Sequence, residues 1–90
     1  MNSYMITKET NAVLKEVSKE RWKQDLKWGE QNHDGPLYLT ILSEEVGEVG
    51  KAILDFRFGK KDLEEIRAEL IQVAAVAVAM IEAFDRGHCR

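Results

Sequence analysis

The chain has 90 residues, 44% hydrophobic and 32% charged, with a formal net charge of −3. That length allows one domain, residues 1–90, and excludes a second; the acidic balance argues against a nucleic-acid binder, which carries a basic excess. The single cysteine, Cys89, excludes an internal disulfide and fits a reducing compartment.

The opening residues, MNSYMITKET, hold no apolar stretch of the kind a secretion signal needs. The most apolar run, VAAVAVAMI, is too short to span a bilayer. A cytoplasmic protein with no membrane partner is expected. A chain of this size buries only roughly 60% of its unfolded surface, so a second copy is expected to help complete the core. Breakers at Gly29, at Asp34-Gly35-Pro36, at Gly59 and at Gly87 divide the chain into three long segments and a short tail. No alternation of strand period persists, so the expected class is all-α.

The first segment predicts a helix over about residues 7–28, stopped by Gly29. Its apolar stripe is untidy: Val13, Leu14 and Val17 lie together, then Trp22, Leu26 and Trp28 continue on a shifted face. The second segment predicts a helix over about residues 36–58, with Pro36 in the first turn, where its missing N–H costs nothing. Leu39, Leu42, Val46, Val49, Ile53 and Phe56 recur at spacings of 3, 4, 3, 4 and 3, which is a helix-packing seam. The third segment predicts a helix over about residues 62–86, with Asp62 as N-cap and Glu65 three positions on. Leu63, Ile66, Leu70, Val73, Ala77, Met80 and Phe84 form its seam, while Ile71, Ala74, Ala75, Val78 and Ile81 cover another face. A helix apolar nearly all round is buried on both sides. Three helices give too little cover for that, so the expected architecture is a four-helix-bundle-type core completed by homo-oligomerisation, as a dimer or a tetramer.

Both seams carry acids or amides at the same phase. Glu45 and Glu48 each precede a seam residue of the second helix, and Glu69 and Gln72 each precede a seam residue of the third. Each pair is spaced i, i+3, so its members are neighbours on the helix surface. If the seams pack together, the pairs converge at the edge of the core. Unit charges about 4 Å apart interact by roughly 4 kcal/mol at an effective dielectric of 20. Converging carboxylates therefore protonate, splay apart or take up a cation, and Mg²⁺ accepts hard oxygen ligands while keeping several waters. The same residues also read as a solvated acidic helix edge, because glutamate is a good helix former. Gly47 and Gly50 weigh toward a site. Each costs roughly 1 kcal/mol against Ala inside a helix, and a close backbone approach or room for a ligand would offset that. Facing helices build di-iron centres with Glu-x-x-His pairs, and no such pair occurs here.

EEVGE followed by AELIQVAAVAVAMIEAF resembles the MazG-like, all-α nucleoside triphosphate pyrophosphohydrolases, which are marked by Glu-x-x-Glu on one helix and Glu-x-x-Asp on the next. Glu45-Val46-Gly47-Glu48 matches the first half; Glu69-Leu70-Ile71-Gln72 matches the second except at its last position, with 20 residues between Glu48 and Glu69. RWKQDLKWGEQNH, residues 21–33, is similar to the upstream segment of phage-type members. The resemblance implies cleavage of a (deoxy)nucleoside triphosphate between its α- and β-phosphates, to the monophosphate and pyrophosphate, with Mg²⁺ as cofactor or Mn²⁺ in its place. It implies Glu45, Glu48, Glu69 and Gln72 as the metal-ligand positions. It also implies Glu44, Glu45 and Glu48 as the catalytic acids, Glu44 serving as ligand or as base for the attacking water. Gln72 departs from the family pattern, since an amide oxygen ligates a cation without adding charge. Either it contacts the metal or the base, or this branch works with fewer ions, or it does not hydrolyse.

By the same resemblance, the end of the first helix and its loop meet the base or sugar. Trp28 would stack, while Gln24, Gln31, Asn32 and His33 would hydrogen-bond, with Arg21 beside them. Lys51 follows Glu48 by one turn, and Arg57, Lys60 and Lys61 surround Gly59; these cations would meet the phosphates. Read without the family, Trp28 is a half-buried ring at a helix end, Lys51 pairs with Glu48, and the lysines form a solvated turn. Two other readings stand beside the first. One is a phosphoribosyl-ATP pyrophosphohydrolase-like enzyme of the same fold. The other is a non-catalytic helical module that binds a nucleotide or only its own copies. The expected partners are a nucleoside triphosphate and further copies of the chain. No P-loop, dinucleotide-binding glycines or nucleophile elbow is present.

Overall fold

Three N-caps open the architecture. In the computed structural model, which describes residues 5–60 and 62–90, the helices are α1 (Lys8–Trp28), α2 (Gly35–Arg57) and α3 (Leu63–Asp85). Lys61, one of the cations around Gly59, lies outside the described residues. Thr7 Oγ1 accepts from the Thr10 N–H at 3.0 Å, the Asp34 carboxylate from Leu37 at 2.9 Å, and the Asp62 carboxylate from Glu65 at 3.1 Å. Each oxygen satisfies one of the N–H groups that a helical first turn leaves unpaired. Pro36 sits in the first turn of α2. At the end of α1, Gly29 takes φ +72° and donates its N–H to the Asp25 carbonyl, a left-handed stop that a side chain would strain.

α3 packs against both other helices, whereas α1 and α2 do not approach each other through their backbones. Glu16 pairs with Arg67 and Arg21 with Glu82, so residues later in α1 meet residues later in α3. α2 and α3 are joined by the turn around Gly59, where φ is +76°, and run antiparallel. The buried hydrophobic residues are Val17 on α1, Tyr38 and Ala52 on α2, and Ala75, Val76 and Ala83 on α3.

The buried line of α2 runs one residue earlier than the predicted seam. Tyr38, Glu45 and Ala52 turn inward, while Leu39, Val46 and Ile53 face out, with Val46 at 53% exposure. On α3, Leu63, Leu70 and Phe84 likewise face out, Leu63 at 63%. Leu42, Val49, Ile66, Val73 and Met80 are half-buried, so within one chain the two seams are only partly covered. Volume accounts for this: the buried positions of α2 and α3 include the small Ala52, Ala75 and Ala83, and the axis separation follows the side chains at a contact. Gly47 and Gly50 meet no close backbone in the chain, since a Cβ at either would find nothing within 4 Å.

The result is an open shape. The Cα radius of gyration is 15.0 Å, against about 12 Å for a compact chain of this length. The accessible surface is 6977 Å², roughly 1,600 Å² above that of a folded monomer of this mass. Among the described residues no helix is long and apolar enough to cross a membrane.

Candidate functional site

α1 and α2 both lean on α3 while their backbones stay apart, and a cavity of about 300 Å³ opens between them. Its floor is apolar, from Ile41, Val76 and Ala79. Its walls are polar. α1 brings Arg21, Gln24 and Trp28, the 29–34 loop brings Gln31 and His33, α2 brings Tyr38 and Glu45, and α3 brings Gln72. A small apolar pocket with a few convergent polar groups is the usual form of a small-molecule site.

Glu45 is the acid that the fold places inside. It is half-buried on the inward line of α2, with Glu69 of α3 near enough to act on it. Burial, first, and then the charges of Glu69, Glu44, Glu48 and Glu20 hold its carboxyl above the usual carboxylate range. Desolvation and like charge both disfavour ionisation, and a cation would relieve both. Glu69 is half-buried, and Glu44 and Glu48 are exposed on the flank of α2. Among the described residues no three His, Cys, Asp or Glu side chains gather closely enough to hold a metal ion by themselves. Gln72 is half-buried and lines both the cavity and a second, open groove between α1 and α3. In that groove lie Glu16, Lys19, Glu20 and Lys23 of α1, and Arg67 of α3.

The α1 wall is fixed by Arg21. Its guanidinium donates to Glu82 of α3, to Gln24 Oε1 at 3.1 Å and to Asp25 Oδ1 at 3.1 Å. Burial alone would lower the Arg21 pKa; the bonds to Glu82 and Asp25 outweigh it and raise it. Because arginine offers only donors, the Gln24 oxygen is committed and its NH₂ remains for a ligand. Tyr38, held above its usual pKa chiefly by burial, keeps its proton and donates it to the Gln31 carbonyl at 3.0 Å. The His33 ring meets the Tyr38 ring edge-on at 5.0 Å between centroids. Lys27 Nζ lies 4.6 Å from the Trp28 ring centroid, so one face of that ring is already covered.

The cavity thus gathers Gln24, Trp28, Gln31, His33, Glu45 and Gln72 from the predicted set. It does not gather Lys51, Arg57 or Lys60, which are exposed and line neither hollow. The reason is axial. The cavity sits at the N-terminal half of α2, and Arg57 lies 12 residues beyond Glu45, about 18 Å along a helix. Tyr38, Glu82, Arg86 and Glu20 are site residues that sequence reading missed. Glu20 had a signal, being one turn before Gln24 on the same face. Tyr38 was hidden in the run LYL, and Arg86 lies 54 residues from the loop side chain it holds. Comparison with known proteins adds no relative: no family model matches the chain, and no curated protein or solved structure resembles it significantly.

Proposed function

We propose that this chain is a nucleoside triphosphate pyrophosphohydrolase of MazG-like type, cleaving a (deoxy)nucleoside triphosphate to the monophosphate and pyrophosphate. The observation that carries this reading is the half-buried Glu45, set against Glu69 and opening into a cavity with an aromatic ring and amides on its walls. The nucleoside end would enter that cavity, with Trp28 against the base and Gln24, Gln31 and His33 reading its edge. The reaction exchanges the P–O bond to the α–β bridge for one to a water oxygen. The water proton passes to a carboxylate, Glu44 in this reading, and pyrophosphate leaves.

All the donors at the acid pair are hard oxygens, which suits Mg²⁺. Lacking a third converged acid, the site does not fit a resident ion in an all-protein cage, but it fits an ion that uses one or two carboxylates and keeps the substrate's phosphates and several waters as its other ligands. Glu45 and Glu69 would hold it, with Glu48 and Gln72 at the next positions, and Mn²⁺ would serve in its place. Bound there, the ion supplies charge neutralisation and a more acidic water.

A second copy belongs to the same reading. The outward lines of α2 and α3 are apolar, and the surface excess of roughly 1,600 Å² compares with about 800 Å² per partner in an ordinary stable interface. Pairing those faces would turn the α2–α3 pair into half of a four-helix core, in a dimer or a tetramer.

Pyrophosphate release from a panel of deoxynucleoside triphosphates with Mg²⁺ tests the activity. Release from at least one nucleotide is expected, with a loss of about 100-fold or more in Glu45→Gln, the scale of a lost transition-state contact. No release from any nucleotide overturns the enzyme reading. The absence of a three-acid group among the described residues favours a non-catalytic module as the second reading. Nucleotide that raises the melting temperature in a dose-dependent way, yet is never hydrolysed, would establish it.

A further inference from the structure

We propose that Arg86 is a positioning residue: it holds the 29–34 loop in place as a wall of the cavity, and so sets how tightly the nucleoside end of the ligand is bound. The inference rests on the reading of that cavity as the nucleoside site.

Arg86 caps α3, its N–H bonded to the Glu82 carbonyl at 3.1 Å. Its side chain crosses to the α1–α2 loop. Nε and Nη2 both donate to Asn32 Oδ1, at 3.0 and 2.8 Å, and Nη2 also donates to the Gln31 carbonyl at 3.3 Å. Glu30 Oε2 lies 3.5 Å from Arg86 Nε and accepts from Asn32 Nδ2 at 2.9 Å. Arginine, asparagine and glutamate thus close a ring in which each donor faces an acceptor. The asparagine amide has one chemically sensible orientation in it, oxygen to guanidinium and nitrogen to carboxylate.

The ring divides the loop's side chains. Asn32 is turned away from the cavity by Arg86, while Gln31 and His33 line it, beside Glu30 and Arg86 at its rim. The Gln31 carbonyl receives two donors, Arg86 and Tyr38. Both come from outside the loop, one from each of the helices that floor and wall the cavity. The tail adds a third hold, as Cys89 Sγ donates to the His33 carbonyl at 3.0 Å. Gly35 makes room for that tail, since a Cβ there would lie 2.9 Å from the Cys89 carbonyl oxygen. A lysine would not replace Arg86, because the two-point grip on Asn32 needs the planar fork. None of its bonds reaches Glu45 or Glu69, so its effect should fall on binding and not on the chemical step.

The test is steady-state kinetics and amide hydrogen exchange on the full chain. For the best nucleotide of the panel, Arg86→Ala and Arg86→Lys should raise KM by about tenfold with kcat within about twofold, the pattern of lost uniform binding. Asn32→Ala should do the same, and Asn32→Ala with Arg86→Ala should add nothing further. Amides of residues 30–33 should exchange faster in each variant. Arg90→Ala is the control: it is also in the tail, but its guanidinium lies over the Phe84 ring at 5.1 Å, and KM should not move. Unchanged KM in Arg86→Ala, a fall in kcat alone, or full additivity with Asn32→Ala overturns the assignment while leaving the cavity's function standing. A wild-type chain that binds no nucleotide overturns both.

Discussion

The inner and outer faces of the α2–α3 pair are built from the same repeat and finished differently. Inside, the small residues Ala52, Ala75 and Ala83 are buried, and Glu45 is a half-buried acid on the same line of α2 as Ala52. Outside, Leu39, Val46, Leu63 and Leu70 each leave more than half of their surface in water. A scattered exposed leucine needs no explanation; two aligned rows of them are what the proposed pairing with a second copy would use. The inner face is closed by small residues and left chemically unsatisfied; the outer face is chemically inert and left uncovered. One wants a cation or a proton, the other wants more chain.

The largest effect should come from spoiling the outer face. Leu70→Glu is expected to turn a sedimenting oligomer into a monomer and to remove the concentration dependence of the melting temperature. The loss should be about 2 kcal/mol or more, the scale of one buried leucine exchanged for a charge. If wild type and variant both sediment as well-folded monomers, the comparison between the faces fails. Next comes overfilling the inner face. Ala83→Leu should cost about 1–3 kcal/mol by urea denaturation and leave the association state alone.

A subtler effect concerns the charge on the inner face. The folded state holds the Glu45 pKa above its unfolded value. In acid, below the unfolded value, the carboxyl is neutral in both states and costs nothing. As pH rises through the folded value, the charged form appears in a site that disfavours it, and stability falls. Glu45→Gln should therefore raise the melting temperature at neutral pH and not in acid, in the absence of divalent cation. Adding Mg²⁺ and nucleotide should raise the melting temperature of wild type and not of the variant. A variant less stable than wild type at neutral pH would show that Glu45 already has a partner. The smallest effect is Gly50→Ala, in open space beside Val46 and Ile53. It should stabilise by about 1 kcal/mol through helix propensity; a loss would mean that a neighbouring copy uses the space.

Helix bounds could be read from the chain because caps and stops are local chemistry: Asp62, Pro36 and Gly29 act on the residues next to them. The contact phase could not. The spacing of Leu39, Val46 and Ile53 identifies an apolar face, but whether that face meets α3 or another molecule depends on side-chain volumes across the contact. Glu45 and Gln72 were readable as a site because they sit one position from large seam residues, which is where the inward line runs. The place of the basic turn relative to the acids could not be read without a register. Lys60 is close to the acids in a count of helices and far from them along the axis. Glu82 and Arg86 were invisible, since their partners lie on α1 and its loop, and no pattern within α3 points there.

One property of the architecture bears on how the molecule comes into being. α3 follows α1 and α2 and, among the described residues, is the helix whose backbone approaches both of the others. A nascent chain that has released α1 and α2 has made two rods whose backbones do not meet in the fold, so tertiary order should arrive late and nearly all at once, when the third rod docks along both. Until that docking every apolar stripe is bare, and the outward stripes of α2 and α3 would be the first to meet a chaperone.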